Sequence, residues 1–464
     1  MLFGKRQRVM VLGLDCGEPE LVFNRWRDEL PNLKRLMDEG GYGEIQSSIP
    51  PITVPAWTCF TTSKNPGQLG FFGFRNRKDY SYHDMWIATG DAVREPRVWD
   101  IASAEGKDCI VLGVPQTYPP RPLRGLMVTS FLTPSIESDY TYPPELKAEI
   151  ADTVGEYMLD VEGFRTEDKE GLLRQIYVMT EQRFALARHF VRTKPWDLFF
   201  LVEMGPDRIQ HGFWKFCDPE HRKYEPGNPY EHAIRDYYKY LDTQIGELLG
   251  ELPRGTSVIV VSDHGAQRMD GSVNINDWLL QEGFLRLSGS LAEPCELREA
   301  PVDWPNTKAW GSGGYYARVF MNVQGREQQG CIERAAYETE RDTLADALRS
   351  IPDDTGRVMA TQVHKPQEVY TGPYVDEAPD LLVYFDDLYW RSSQTVGNGS
   401  IHSFETEIGP DDAMHAEKGM FIIAGGGIRG GQRLEAVDIL DGAPTILRLL
   451  GLLIPEDMEG KAIE

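Results

Sequence analysis

Ser257-Val258-Ile259-Val260-Val261-Ser262-Asp263-His264-Gly265 sets a run of β-branched residues directly ahead of an acid and a histidine. No polar residue alternates through the run, so a strand here is buried on both faces, as in a parallel sheet. Three further stretches repeat the arrangement. Val9 to Leu14 is apolar and ends at Asp15, and Leu198 to Pro206 is largely apolar and ends at Asp207, with His211 four residues on. His415 stands just ahead of Gly419-Met420-Phe421-Ile422-Ile423-Ala424-Gly425. In open α/β sheets, ligands collect outside the carboxyl ends of the strands, where three of these patches put their acids and histidines. Three carboxylates and three histidines form a mixed oxygen and nitrogen donor set suited to zinc or manganese-like ions. Six such side chains are enough for two divalent ions, and two-metal sites favour phosphoryl transfer.

The intervening sequence supports the same architecture. A strand over 8–15 precedes a helix near 31–39, opened by Pro31 and closed by Gly40-Gly41. Residues 108–114 and 125–131 read as strands, and an amphipathic stretch from Glu167 to Arg192 reads as a helix stopped by Lys194-Pro195. A strand over 197–204 follows, then a loop rich in Pro, Gly and His, then a helix from about Pro229 to Leu252. Strand–helix–strand order of this kind implies a mostly parallel sheet sandwiched by helices, with right-handed crossovers. The texture changes beyond residue 275, through the Gly-rich Trp310 to Tyr316, the alternating Ala317 to Asn322 and a charged helix near 331–350. The expected organisation is therefore an α/β core from 1–275 plus 400–464, with 276–399 inserted as a cap. The core resumes at His415 and strand 420–424 and finishes in a helix reaching about Leu452.

Composition bounds the partners. The 464 residues carry a net charge of −24, from 72 acidic and 48 basic residues, and 41% are hydrophobic. A large core is expected. An acidic chain of this kind does not wrap a nucleic-acid polymer or dock by a basic face on an anionic membrane. It still accommodates a small phosphate-bearing substrate, because bound divalent cations invert the local field. No run approaches the roughly 18 apolar residues that a membrane span requires. Met1 to Arg8 is basic but lacks the apolar stretch of a signal peptide. Cys16, Cys59, Cys109, Cys217, Cys295 and Cys331 lie far apart with no CxxC pair, as expected of reduced, individually buried thiols. A cytoplasmic enzyme is the expectation; the oligomeric state is not legible.

Asp263-His264-Gly265, the pair Asp207 and His211, and His415 four residues ahead of Gly419, in this order, resemble the alkaline phosphatase superfamily. Within it they resemble the type I phosphodiesterase/nucleotide pyrophosphatase family, over most of the chain. The resemblance implies a Thr or Ser nucleophile near the start of a helix after the first metal Asp. The matching segment is Pro50-Pro51-Ile52-Thr53-Val54-Pro55-Ala56-Trp57-Thr58, which puts Thr53 forward, with Thr58 as the competing hydroxyl. It implies one metal at Asp15, Asp263 and His264, with Thr53 as a further ligand. A second lies at Asp207, His211 and His415, with His402 the competitor for the last place. A hydroxyl needs a base or a metal to become a competent nucleophile at neutral pH, and a helix starting at Val54 or Pro55 would offer free N–H groups to a phosphate. The implied course is in-line attack by Thr53, a phospho-threonine, then hydrolysis.

Arg75 and Asn76 fall where such enzymes place a phosphate-binding residue. An Asn suits a diester and an Arg the extra charge of a monoester, and both stand open. Leu69-Gly70 replaces the His-Gly that many members carry, and the Cys/Ser-x-Pro-x-Arg signature of sulfatases is missing around Thr53. The expected function is hydrolysis of phosphodiester or pyrophosphate bonds in nucleotide-like small molecules, with two divalent ions, zinc or else manganese. Alternatives are a phosphomonoesterase, a phosphoglycerate-mutase-like phosphotransferase, or a non-catalytic binding protein. The aromatic stretches 71–74 and 310–316 read either as core or as a surface that stacks on a base or lipid-like group.

Overall fold

The computed structural model describes residues 7–464, so most of the basic leader, residues 1–6, lies outside the described residues. Its centre is a ten-stranded sheet. β1 (Val9–Leu14) leads to α1 (Pro31–Glu39), β2 (Gly41–Gln46) and α2 (Thr53–Thr62). Then come β3 (Cys109–Leu112), β4 (Gly125–Val128), α3 (Lys169–Thr193), β5 (Leu198–Glu203), α4 (Gly205–Cys217), α5 (Ala233–Gly250) and β6 (Ser257–Val261). After a long excursion the chain returns as β7 (Lys418–Ala424) and ends in α6 (Gly442–Leu449). Spatially the order is β2-β7-β6-β1-β5-β3-β4, with short edge strands outside it. β6, β1, β5, β3 and β4 run parallel, and every residue of β1, β5 and β6 is buried. That is the two-faced burial their unalternated apolar runs require.

The stretch expected to be a loop after β5 is instead the 13-residue helix α4. Gly205-Pro206 looks like a breaker, but Pro206 sits in the first turn, where its missing N–H is no loss. Ile209 and Phe213 bury the inner face. β7 departs from the parallel pattern: it runs antiparallel to both β2 and β6. Of the six unpaired cysteines, Cys16, Cys59 and Cys109 are buried, whereas Cys217, Cys295 and Cys331 are only half-buried, a partial correction to the sequence expectation.

Residues 309–384 build a separate four-stranded antiparallel sheet, in the order Ala309–Ser312, Ala317–Met321, Leu381–Tyr384, Gln362–His364. The helix Tyr337–Arg349 accompanies it. Its apolar centre, including Trp278, Trp310, Phe320, Leu344 and Phe385, is distinct from the core around the large sheet. Among the described residues no helix is long and apolar enough to cross a membrane.

Candidate active site

The sheet's carboxyl edge gathers the ligand-type residues. Asp15 follows β1 directly, Asp263 lies two residues past β6, and Asp207 sits in the first turn of α4, just after β5. His415 lies in the short strand Ala413–Ala416, paired antiparallel with Gly265–Arg268, and so comes ahead of β7 rather than after a core strand. Because β7 is antiparallel to its neighbour β6, the beginning of β7 lies at the edge where β6 ends. His211, one turn beyond Asp207 on α4, faces the same centre, with its Nε2 3.6 Å from Asp207 Oδ1. Thr53 is the first residue of α2, whose N-cap Ile52 offers no side chain to the free N–H groups.

The resulting cluster is compact. His264 Nε2 lies 3.2 Å from Asp263 Oδ2, 4.0 Å from Asp15 Oδ1 and 3.5 Å from Thr53 Oγ1. Donor atoms of Asp15, Asp263 and His264 all lie within 4.8 Å of one another. The same holds for Asp207 with His264 and His415, and for Asp207 with His211 and Cys16. Asp207 thus joins two overlapping triads. The rings of His264 and His415 stack 3.8 Å apart, and His211 lies 5.3 Å from His415.

Each imidazole is oriented from behind. His264 Nδ1 donates to Gly265 O (3.0 Å), His415 Nδ1 to Pro51 O (2.7 Å) and His211 Nδ1 to Asp411 Oδ1 (2.8 Å). Since a carbonyl or carboxylate oxygen only accepts, each Nδ1 carries the proton and each Nε2 keeps a free lone pair. Asp15 Oδ1, Asp263 Oδ2 and His211 Nε2 are buried with no hydrogen-bond partner. Such orphans cost roughly 1–3 kcal/mol each unless something satisfies them. Carboxylate oxygens and imidazole nitrogens are what a divalent cation of the zinc or manganese type takes, so the residues fit one. For His264 and His415 the protonation preferences agree with a free Nε2, and the two acids are held short of counter-charge. Burial, then the charge of Asp263, pushes the Asp15 carboxyl well above the usual carboxylate range. Burial does the same to Asp263, with Asp207 adding to it. Burial pushes His264 down, and it pushes His415 well down together with its imidazole neighbours. For His211 burial acts downward, but Asp411 and Asp207 overcome it and the pKa rises.

Several supporting residues escaped the sequence reading. Trp57 Nε1 donates to Asp15 Oδ2 (2.7 Å), tying the helix that carries Thr53 to the first acid. Asp411 orients His211 and accepts from Arg165 Nε (3.0 Å) and Tyr315 OH (2.8 Å). The Tyr315 ring stacks on His415 at 4.3 Å. Arg208 Nη1 binds Asp207 Oδ2 (2.7 Å), while its other nitrogens take Asp160 at 2.6 and 2.9 Å. Asp411-Asp412, placed just ahead of a candidate ligand histidine, was a usable signal; Tyr315 fell within the aromatic stretch 310–316, but nothing local marks its contacts with Asp411 and His415.

The competing residues lie elsewhere. Thr58 Oγ1 donates to Val54 O (2.8 Å) inside α2. His402 Nε2 meets Pro352 O (2.8 Å) beside Trp390, outside the cluster. Asn76 is buried and its amide is used within its own loop, accepting from Phe72 N (2.7 Å) and donating to Gly73 O (3.0 Å). Arg75 is exposed and lines the cavity above Thr53. Cys59 is buried in the core of the large sheet. Trp310 is buried in the smaller core, whereas Phe74 and Tyr315 line the cavity. That cavity, of about 550 Å³, opens over Thr53, Asp207 and His415.

The mostly parallel sheet flanked by helices is an alkaline-phosphatase-like fold, and the acid and histidine cluster lies at its carboxyl edge. The sequence matches the type I phosphodiesterase/nucleotide pyrophosphatase family over residues 9–411, and the chain belongs to that family of hydrolases. Among solved structures, phosphonoacetate hydrolase from Sinorhizobium meliloti, in complex with phosphonoformate, superposes with a TM-score of 0.63 at 16% identity, covering 96% of this chain and 95% of its own. Human ectonucleotide pyrophosphatase/phosphodiesterase 5 gives 0.55 at 14% identity, and the murine protein 0.57 at 14%, each covering 97% of both chains. These likenesses establish the fold. The sequence finds no match among curated proteins.

Proposed function

We propose that the protein hydrolyses phosphodiester or pyrophosphate bonds in small, nucleotide-like molecules through a phospho-threonine at Thr53. The observation that carries this reading is Thr53 Oγ1 at the open start of α2, 3.5 Å from His264 Nε2 and beside the orphaned oxygens of Asp15 and Asp263. Asp15, Asp263 and His264 would hold one divalent ion, zinc or manganese, and Asp207, His211 and His415 a second. Such ions supply activation of a hydroxyl and neutralisation of developing negative charge. Thr53 Oγ1 gives up its proton and forms the new bond to phosphorus as the opposite ester or anhydride bond breaks and the leaving group departs; the remaining substituent stays on the phospho-threonine until water cleaves its O–P bond and frees Thr53. The N–H groups at the start of α2 face the phosphate oxygens. Arg208 and Asp411 hold Asp207 and His211 in place throughout. The segment 276–399 acts as the cap and contributes Tyr315 and Arg318 to the cavity wall. Six cysteines without a disulfide support a reducing, cytoplasmic setting.

A phosphomonoesterase is the second reading. It rests on Arg75 at the cavity wall, while Asn76 is committed to its loop. The deciding measurement compares bis(p-nitrophenyl) phosphate with p-nitrophenyl phosphate on zinc- or manganese-loaded protein. Diester preference supports the first reading, monoester preference the second, and background rates for both refute each. Thr53→Ala should lower kcat by about three orders of magnitude or more. Mass spectrometry of wild-type protein quenched during turnover of bis(p-nitrophenyl) phosphate should find the mass of a (p-nitrophenyl)phosphoryl group on the peptide carrying Thr53, and of a bare phosphoryl group when p-nitrophenyl phosphate is the substrate; an adduct on another residue would reject the assignment.

A further inference from the structure

In a chain of net charge −24, five arginines line one cavity: Arg75, Arg165, Arg208, Arg318 and Arg391. Three are matched by acids. Arg165 lies 3.0 Å from Asp411, Arg208 lies 2.6 Å from Asp160 and 2.7 Å from Asp207, and Arg391 lies 2.8 Å from Glu407. The other two are not. Arg318, half-buried on the strand Ala317–Met321, donates to Ser312 Oγ (2.8 Å), to Gly313 O (3.4 Å) and to the carbonyl of Arg75. All three acceptors are uncharged. Arg75 is exposed, and no ion pair within 4.0 Å involves either guanidinium among the described residues. Glu296 also reaches this cavity, but its carboxylate lies 2.8 Å from Arg298. Burial pushes the Arg318 guanidinium down, Tyr316 opposes this, and the neighbouring Arg75 adds a lesser downward push. Two guanidiniums without acid partners face one cavity from two different segments, one of them half-buried, and an anion bound between them would relieve their mutual repulsion and make charge-assisted hydrogen bonds to both.

We infer that the substrate carries a second anionic group, a carboxylate or a phosphoryl group, remote from the phosphorus that Thr53 attacks, and that Arg318 together with Arg75 binds it. The inference rests on the hydrolase reading above and narrows its substrate class. Arg318 belongs to the inserted segment and Arg75 to the loop after α2, so the anion would bridge cap and core. The walls of the same cavity include Phe74, Phe131 and Phe164, which suit an apolar or aromatic body between the two charged ends.

The test uses three diesters that all release p-nitrophenolate: p-nitrophenyl phenyl phosphate, and the same ester with a para carboxylate or a para phosphonate on the phenyl ring. On metal-loaded wild-type protein, kcat/KM should be at least tenfold higher for one charged ester than for the uncharged one, and the better of the two identifies the anion. Arg318→Gln should cut that ratio tenfold or more, mainly through KM. Arg75→Gln, at an exposed position where misfolding is not expected, should cut it in the same direction. Wild-type ratios within twofold of unity for both charged esters overturn the inference. So does an Arg318→Gln loss equal for all three esters, which would make the residue a tether between the hairpin and the loop at Arg75. If no ester is cleaved, the hydrolase reading fails first. Calorimetric titration with (4-carboxyphenyl)phosphonate against phenylphosphonate then decides: tenfold tighter binding of the former by wild type but not by Arg318→Gln sustains the second-anion site, and equal affinities reject it.

Discussion

Adding one methyl group at Gly13 tests how the first acid and the nucleophile are held together. Gly13 lies in regular strand backbone in β1, where propensity alone makes alanine better than glycine by about 0.5–1 kcal/mol. A Cβ there would stand 2.5 Å from Trp57 Cη2, 3.1 Å from Trp57 Cζ2 and 2.7 Å from Val202 Cγ2. Carbon atoms pack at about 3.5–4.0 Å, so the indole must retreat by about 1 Å. Overpacking of this kind costs about 1–3 kcal/mol, which after the propensity gain leaves Gly13→Ala destabilised by at most about 2.5 kcal/mol. The indole is also the donor to Asp15, and it lies one turn beyond Thr53 on α2. A displacement near 1 Å at a nucleophile costs on the order of 100-fold in rate. Gly13→Ala should therefore lose about 100-fold in kcat/KM on bis(p-nitrophenyl) phosphate while its urea midpoint moves only modestly. Trp57→Phe removes the clashing carbons, so in the double variant the stability losses should fall short of additive by at least 0.5 kcal/mol. A Gly13→Ala protein as active as wild type within threefold, or strictly additive losses, would refute the coupling.

Asp411→Asn removes the charge that orients His211, and it should weaken zinc or manganese binding about 10–100-fold in chelator competition; an unchanged dissociation constant would show His211 is held by α4 alone. Stripping the protein with EDTA should lower its stability by about 3 kcal/mol relative to protein in metal at a hundred times Kd, seen as a lower thermal midpoint that zinc or manganese restores, whereas magnesium-only or absent recovery would contradict the donor set. The buried His221 accepts from Lys223 N–H through Nδ1 (3.1 Å), and burial pushes its pKa from the ordinary 6.5 down to about 4. The unfolded chain thus takes up this proton before the folded one does, so stability is complete above pH 6.5 and is lost as pH falls from 6.5 towards 4, by up to about 3 kcal/mol. His221→Gln should flatten that limb of the urea midpoint against pH, and an identical acid loss in the variant would place its origin elsewhere.

Much of the framework was legible because burial on two faces writes itself into sequence. β1, β5 and β6 could be read to within a residue or two, each with an acid at or just beyond its end. α1 was bounded correctly by Pro31 and Gly40. α4 was lost because Gly205-Pro206 carries the same letters in a loop as in a first helical turn, and only the buried Ile209 and Phe213 distinguish the two. The direction of β7 was also hidden. An apolar run has no polarity, so nothing in 418–424 tells that it enters antiparallel and carries His415 to the shared edge at its start. Asp15, Asp207, His211, Asp263, His264 and His415 could be nominated from local patterns that a chain-wide fold brings together, and Thr53 from the family resemblance alone. Trp57, Tyr315 and Arg165 could not, since their roles exist only through contacts between segments tens to hundreds of residues apart.

The position of β7 also sets a timetable for biosynthesis. β2 reaches the rest of the sheet only through β7, which slots between it and β6. On the ribosome, residues 41–46 are made early and their partner emerges roughly 20–75 s later at ordinary elongation rates. For the later part of that interval, once residues 257–261 have been made, β6 presents an unpaired edge, a template for wrong pairing with any exposed strand. His415 arrives with the same segment, so the ligand cluster closes only as the sheet closes. Chains arrested before Lys418 should partition to chaperones or inclusion bodies rather than persist as folded protein, and the acid and histidine cluster cannot assemble in chains not yet translated past His415.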